Sequence, residues 1–427
     1  MTTSTAHHAM NGNGAAGAAA AAPPSDAQVL ILHDGGSLAA MKAKGNLGHY
    51  VETLYNPGNQ FKRAHIMVFD KPDLEVELKN PTLRVHLLHN ISLGAKAGRI
   101  GRYIGRGLSL PVMVAQTAQV IRREGISVIR ARNAYLAGMI AVMAGKLTGV
   151  PVVVSLGGDN RIAQELLKRY YTYSRTLSFK IEEFALRNAD RVFCTNEFTR
   201  QYAIRLGVAP EKARVVEHRV DIDLIGQQDA AAAKVELGIG DRPMVLFVGR
   251  FEPDKQVDVC IEAIPGILKK QPNAVFVFVG DGSMRGVVEA RVKELKIESS
   301  VILAGYQARH RIAKYLAAAS LVWIPMSGFV IYEAAAARRP IVAFDVEWHS
   351  EFVEHNVTGM LVRDRDVPDI VEKVTAVLGD QALADRLAEA GERRFREECD
   401  QKKLADKEFQ EYLEVIEDPG ATRAKKR

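Results

Sequence analysis

The chain has 427 residues, 47% hydrophobic and 25% charged, with a formal net charge of +6; this is ordinary globular composition at a length that suits two domains. Its three cysteines, Cys194, Cys260 and Cys399, lie far apart with no CxxC pair, which argues against a disulfide framework or zinc site and for a reducing compartment. No run of 18 or more apolar residues is present, so no segment reads as a membrane span.

Residues 1–26 are rich in Ala, Gly, Pro, Ser and Thr. The Ala-rich stretch at 15–22 has no leucine and no preceding Lys or Arg. It reads as a disordered tail rather than a signal peptide. "QVLILHD" (28–34) is a short apolar strand ending at Gly35-Gly36, followed by a helical stretch near 46–56 and a second strand, "AHIMVFD" (64–70). From Leu78 to Arg123 there is no acid, while Lys79, Arg84, Lys96, Arg99, Arg102, Arg106, Arg122 and Arg123 all fall there. This segment reads either as a solvated basic loop or as a patch facing anionic lipid headgroups or a phosphorylated acceptor.

Strand and helix signals then alternate. "ISVIRAR" (126–132) reads as a strand, "AYLAGMIAVMAGKLTG" as an apolar helix stopped by Gly149, and "VPVVVSL" (150–156) as a β-branched strand. A polar helix over 161–187, a strand in "ADRVFCTN" (189–196), another helix and "ARVVEHRVD" (213–221) complete the first series. The second series opens with "RPMVLFVGR" (242–250) and continues through "AVFVFVGDG" (274–282), "SVILAGY" (300–306), "SLVWIPM" (320–326) and "PIVAFD" (340–345), with helices between. Uninterrupted apolar strands separated by helices imply parallel sheets covered on both faces. The expectation is two doubly wound α/β domains with ligands at the carboxyl ends of the strands. The boundaries expected are a tail at 1–26, a first domain at 27–220, a second at 221–400, a last helix at 401–417 and a basic tail at 418–427.

Three stretches carry candidate chemistry. "VGRFEPDKQVDVCIEAI" puts Arg250 directly after a strand and Lys255 at the start of a helix. Cations at a strand end and a helix N-terminus suit a diphosphate, though two surface cations would give the same pattern. "VFVGDGSMRG" surrounds Asp281 with Gly280 and Gly282 at a strand end. Glycine admits close approach of a ligand to the backbone, as it also serves an ordinary strand-to-helix turn. In "WIPMSGFVIYEAAAARRPIVAFD", Glu333 sits in the first turn of a helix. The helix dipole alone favours a carboxylate there, and such a group can also accept both hydroxyls of a ribose.

Taken in order, "GRxxxxK", "VGDGxxR", "GYxxxxxIAKYLAAASLVWIPM", "GFxxxEAAAxxxPIVAxDV" and "ExVxxxxTGxLV" resemble the C-terminal domain of the retaining, sugar-nucleotide-dependent glycosyltransferases of the GT-B fold, glycosyltransferase family 4 (group 1). The match runs over about 242–416, and the first half matches in layout more loosely. The resemblance implies two Rossmann-like domains facing a central cleft, with the last helix returning to the first domain. It implies that Arg250 and Lys255 neutralise a leaving diphosphate and that Glu333 binds the donor ribose. Gly305 and Tyr306 would lie beside the nucleobase, with Gly249, Gly280 and Gly282 close to the donor. Ser327, Gly328, Phe329 and Val330 would lie along the diphosphate. Gly45 or Gly48 would cover the phosphates from the first domain, with Gly35-Gly36 competing for that role. It implies a hexosyltransferase-like enzyme with no bound metal or cofactor, and a glycan, lipid-linked or small-molecule acceptor.

Three departures cluster at the sugar end. Where the family places a second glutamate, eight residues before Glu333, stands Pro325. Where it has a Gly-Gly pair stand Glu347-Trp348. Where many members have a His after the strand matching "VVVSL" stand Gly157-Gly158 and then Asp159. Asp159 and Glu347 are therefore the candidates for sugar or acceptor contact. Two other functions stay open: a catalytically degenerate nucleotide-binding partner of an active transferase, and a membrane-surface or nucleic-acid protein built on 79–123, the last ranked lowest. The expected location is cytoplasmic, with peripheral contact at the inner face of an anionic membrane through 79–123 and no nucleic-acid partner. "DID" (221–223) and "DRD" (364–366) look like metal-binding pairs but read as structural, and His33, His49, His218 and His310 read as turn or surface residues rather than ligands. "KRYYTYSRTLSFK" (168–180) reads as an amphipathic helix.

Overall fold

The structure, a computed structural model, describes residues 25–33, 55–69, 82–88, 98–159, 161, 175–217, 219–220, 222–226, 228–326 and 328–418. The first domain is built on β1 (Gln28–His33), β2 (Arg63–Phe69), β3 (Leu83–Leu88), β4 (Val128–Ala131), β5 (Val152–Leu156), β6 (Arg191–Cys194) and β7 (Ala213–Val215). Between them lie α1 (Gly98–Glu124), α2 (Leu136–Thr148), α3 (Arg175–Asn188) and α4 (Glu197–Arg205). The link to the second domain carries α5 (Ile222–Gly226) and α6 (Ala230–Glu236). The second sheet comprises β8 (Met244–Val248), β9 (Val275–Val279), β10 (Val301–Gly305), β11 (Leu321–Ile324), β12 (Ile341–Phe344) and β13 (Met360–Val362). Its helices are α7 (Val257–Leu268), α8 (Arg285–Glu294), α9 (Arg309–Ala318), α10 (Val330–Ala336), α11 (His349–Phe352), α12 (Val367–Gly379) and α13 (Gln381–Glu398), and α14 (Gln401–Glu417) closes the chain.

Every strand pairing is parallel. The sheet orders are β3-β2-β1-β4-β5-β6-β7 and β10-β9-β8-β11-β12-β13. Both are doubly wound with the switch beside the first strand of the sheet, where open α/β sheets bind their ligands. Strand sequences such as "MVLFV" and "VFVFV" are apolar throughout because each sheet is buried on both faces. Leu246, Val275 and Val277 enter one core layer of the second domain; Val245, Phe247, Phe276 and Phe278 enter the other. The two domains thus repeat one architecture without an internal sequence repeat.

The first sheet is covered differently on its two sides. α1, α2 and α4 contribute to one apolar layer with Leu30, Ile129 and Val154. The opposite layer, around Val29, Ile31, Val128 and Phe193, is completed by Phe409, Tyr412 and Val415 of α14. Phe61 and Phe193 stand edge-on to Tyr412 at 5.1 Å, a favoured aromatic geometry. Charges follow the apolar contact. Buried Arg130 of β4 donates to the Glu408 carboxylate and, at 2.8 Å, to the Tyr412 hydroxyl. Arg219 pairs with the other Glu408 oxygen at 3.1 Å, and Arg191 with Glu411 and Glu414 at 3.2 Å each.

The structure departs from the sequence reading in the basic segment. Its middle is no loop: Leu83–Leu88 forms an edge strand and Gly98–Glu124 a 27-residue helix with Pro111 inside. The glycines at 98, 101, 105 and 107 are absorbed because residues 113–121 supply a buried face of Met113, Val114, Ala118 and Ile121, and packing overrides weak propensity. Residues 89–97 and the side chains of 98–108 lie outside the description. The interdomain segment also folds, into α5 and α6, with Ile225 and Ala233 in the second domain's core.

Breaking the buried pair by Glu408→Ala leaves Arg130 uncompensated, so we expect urea unfolding of the first domain to require about 3–5 kcal/mol less. A loss below about 1 kcal/mol would contradict the structural role given to α14.

Candidate active site in the interdomain cleft

The carboxyl ends of β8, β9 and β10 are laced together by backbone. Gly249 N–H donates to the Val279 carbonyl (3.0 Å), Phe251 N–H to the Asp281 carbonyl (3.0 Å) and Gly280 N–H to the Gly305 carbonyl (2.8 Å). Gly280 has φ +146°, and a Cβ there would stand 1.8 Å from the Gly249 oxygen. A Cβ on Gly282 would stand 2.4 Å from the Phe251 oxygen. Both glycines are therefore demanded by close backbone packing, whatever ligand sits above them.

Arg250 and Lys255 project from the next turn and share one anion. Arg250 Nη2 lies 3.0 Å and Lys255 Nζ 3.6 Å from Asp254 Oδ2. Asp254 is buried, and its Oδ1 has no hydrogen-bond partner. Lys255 does not start the helix, as the spacing suggested. It ends a 3-10 turn, Pro253–Lys255, and Gln256 at φ +49° separates it from α7. The left-handed residue turns the chain, so the lysine is held by Asp254 rather than by a helix dipole. Burial lowers the Lys255 pKa, with Arg250 adding to the effect and Asp254 and Glu347 opposing it.

Glu333 lies in the first turn of α10 and is buried, 8% exposed. Burial raises its pKa, opposed by Arg309, whose Nη2 is 3.3 Å from Glu333 Oε1. Arg309 opens α9, just beyond Gly305 and the exposed Tyr306 ring. Gly305 has φ +67°, so the strand turns at that point. Gly328 has open space around its α-carbon, and Phe329 and Val330 lead into α10.

The positions that depart from the family pattern are also brought together. Glu347 sits in left-handed backbone, φ +48°, a conformation that costs a non-glycine residue about 1 kcal/mol or more. Trp348 is buried with its ring stacked on Tyr332, centroids 5.4 Å apart and planes at 16°. Burial raises the Glu347 pKa; Lys255 opposes this, while Asp159 and Asp254 add to it. Asp159 belongs to the first domain, just beyond β5, so the two sugar-end carboxylates sense each other across the cleft. Asp159 is held by the Arg161 N–H at 2.9 Å and Arg205 at 3.7 Å. Nearby, the Glu351 carboxylate of the second domain accepts from the free N–H groups of Glu197 (2.8 Å) and Phe198 (2.6 Å) at the start of α4. It fixes one domain against the other through unsatisfied helix-end donors.

Gly45, Gly48 and Ser327 lie outside the described residues, as do His49, His218 and Asp221. Asp364 accepts from Gln256 Nε2 at 3.0 Å, and Asp366 caps α12 through the Asp369 N–H, so that Asp pair is occupied structurally. His33 is not a surface residue as the sequence suggested: it ends β1 and is buried against Tyr55.

Two family models divide the chain between them. "Glycosyl transferase 4-like domain" matches residues 46–218 and "Glycosyl transferases group 1" matches 229–394. The chain belongs to the GT-B glycosyltransferases. Curated relatives include the alpha-D-kanosaminyltransferase of Streptomyces kanamyceticus, 28% identical over 258 residues, 58% of this chain and 66% of that one. The D-inositol 3-phosphate glycosyltransferase of Kribbella flavida is 25% identical over 318 residues, 71% of this chain and 75% of that one. The Nocardia farcinica enzyme of the same name is 33% identical over 49% of each chain. Among solved structures, HepE of Anabaena in complex with UDP and glucose superposes with a TM-score of 0.71 at 19% identity, covering 91% of this chain and 100% of that one. Sucrose-phosphate synthase of Thermosynechococcus elongatus gives 0.75 at 20%, covering 91% and 99%. At such identities the structures speak for the fold.

In this transferase, sequence reasoning missed Asp254, Arg309 and Glu351 as organisers of the site. Asp254 and Arg309 were visible in "EPDKQ" and "ARHRIAKY", but only the fold reveals which cation each carboxylate meets. Two glycine variants separate backbone demand from ligand access. Gly280→Ala should cost about 1–3 kcal/mol of stability through overpacking, while Gly328→Ala should stay within about 0.5 kcal/mol. Chemical denaturation of both checks this, and equal effects would contradict it.

Proposed function

We propose that this protein is a retaining, hexosyltransferase-like enzyme of glycosyltransferase family 4. It moves a sugar from a nucleoside diphosphate to a glycan, lipid-linked or small-molecule acceptor. The observation that carries the reading is the pair Arg250 and Lys255, both held on Asp254 at the carboxyl edge of the second sheet. A diphosphate leaving group develops charge as the glycosidic bond breaks, and two fixed cations in a partly desolvated cleft stabilise that charge. The ligands in the HepE complex, UDP and glucose, agree with such a donor.

In this reading Glu333 accepts the donor ribose hydroxyls, exchanging part of its pairing with Arg309. Tyr306 presents its exposed ring to the base. Gly328, Phe329 and Val330 lie along the diphosphate, with Ser327 beside them and Gly45 or Gly48 closing from the first domain. Asp159 and Glu347 flank the sugar. Attack occurs on the face from which the diphosphate leaves, and a leaving phosphate oxygen takes the acceptor proton. Catalysis is then positioning plus electrostatics, with no protein nucleophile and no metal ion in the scheme. No helix among the described residues is long and apolar enough to cross a membrane. A cytoplasmic location, with membrane contact through 79–123, remains part of the proposal.

A second reading, a nucleotide-binding partner of an active transferase, draws on Pro325 and on the Trp348 ring packed against Tyr332. Both occupy the end of the cleft where the family holds its sugar.

Turnover separates the two. With purified protein and a panel of nucleoside diphosphate sugars, release of nucleoside diphosphate is expected for at least one donor. Arg250→Ala, Lys255→Ala and Glu333→Ala should each lower kcat by about 100-fold or more. Donor binding without release would favour the partner reading. Undiminished release in all three variants would sink the site assignment.

A further inference from the structure

At the carboxyl ends of β4, β5 and β6, on the side covered by α14, lies a cavity separate from the Arg250–Lys255 turn. It holds about 510 Å³ of unfilled space, counting its open mouth. Three arginines line it: Arg130, Arg132 and Arg219. Their commitments differ. Arg130 is engaged through Nη1 and Nε, donating to Glu408, to the Tyr412 hydroxyl (2.8 Å) and to Ser155 Oγ (3.0 Å). Arg219 pairs through Nη2 with Glu408 (3.1 Å), but its Nη1 is buried with no hydrogen-bond partner, on a side chain only 10% exposed. Arg132 makes no ion pair among the described residues and stacks over the Tyr55 ring at 5.7 Å.

The charges do not cancel. Among the described residues, three guanidinium groups stand against the Glu408 carboxylate, and Glu217, which also lines the cavity, is taken by Lys407 at 2.9 Å. Two positive charges are left over. Burial lowers the Arg219 pKa, an effect Glu408 opposes and the neighbouring Arg130 and Arg132 reinforce. Such a cluster is costly to keep dry unless an anion completes it. A phosphoryl group matches it best: it carries close to two charges at neutral pH, and its oxygens fit the planar fork of a guanidinium. Thr195 and Gly157 share the wall. Gly157 also leads directly to Asp159, which lies within electrostatic reach of Glu347.

We propose that this cavity binds a phosphate monoester on the acceptor, with Arg132 and Arg219 as its ligands, so that the rest of the acceptor extends towards Asp159 and Glu347. The word acceptor rests on the transferase reading; the anion site rests on the cavity alone.

Titration calorimetry on the full chain tests it with four probes: inorganic phosphate, glucose 6-phosphate, glucuronate and glucose. Phosphate and glucose 6-phosphate should bind, the ester more tightly because the sugar occupies the mouth, and glucose should not. With the donor turn filled by nucleoside diphosphate, Arg132→Gln and Arg219→Met should each weaken the remaining phosphate binding about ten-fold or more. Arg132→Gln keeps the test decisive if Arg219→Met, which unpairs one oxygen of Glu408, fails to fold. Loss of all phosphate binding once nucleoside diphosphate is present would put the phosphate at the donor turn and overturn the proposal. So would indifference to Arg132→Gln, glucuronate binding as tight as glucose 6-phosphate, or no phosphate binding at all. Nucleoside diphosphate titrated into the same samples keeps the two ideas apart. Its binding without phosphate binding removes the acceptor site and leaves the transferase reading standing.

Discussion

The return of the last helix to the first sheet is the constraint on which the rest depends. Without Phe409, Tyr412 and Val415, one face of that sheet would be open to water. Those residues come from the far end of the chain, after the whole second domain has been built. The helix also brings Glu408 to Arg130 and Arg219, two cations that the first domain buries and cannot neutralise by itself. Closure of the first domain and its placement against the second are therefore one event. The strand ends of both sheets face a common cleft, and Asp159 and Glu347, far apart in sequence, come within electrostatic reach of each other.

Within that cleft the two sides are built differently. On the second domain the cations are prepositioned by a buried aspartate, which holds them near each other before any ligand arrives. The lacing of β8, β9 and β10 through Gly249, Gly280 and Gly305 gives that turn a rigid base. On the first domain the carboxyl ends of β4 to β7 carry excess positive charge inside a cavity. The sugar end lies between them and is where this chain differs from its family. Glu347 accepts an unfavourable backbone conformation there, and Trp348 fills the space against Tyr332. Strain retained beside a cation cluster points to a functional demand on Glu347.

Much of the fold was legible because its signals are local. Apolar runs such as "VVVSL" and "VFVFV" specify buried parallel strands, and Gly149 ends α2 as the sequence suggested, in left-handed backbone with φ +81°. The order of motifs from Arg250 to Glu351 carried the family. What stayed hidden depended on tertiary context. Leu83–Leu88 and α1 were obscured by glycines and cations whose helical state is decided by one buried stripe. Lys255 was placed in a helix because nothing in "PDKQ" announces that Gln256 will take φ +49°. Arg130, Arg132 and Arg219 drew no attention because they converge only when β4 and the interdomain link fold beneath α14.

The central claim is that the nucleotide end of the site is complete and that Glu333 is its ribose contact. The most direct measurement compares, by calorimetry, the tightest-binding nucleoside diphosphate with its 2′,3′-dideoxy analogue, in the native protein and in Glu333→Gln. The account predicts that the native protein prefers the ribose form by about ten-fold or more, as expected for a charge-assisted pair of hydrogen bonds, and that the variant shows no preference. Equal affinity of the native protein for both forms would contradict it.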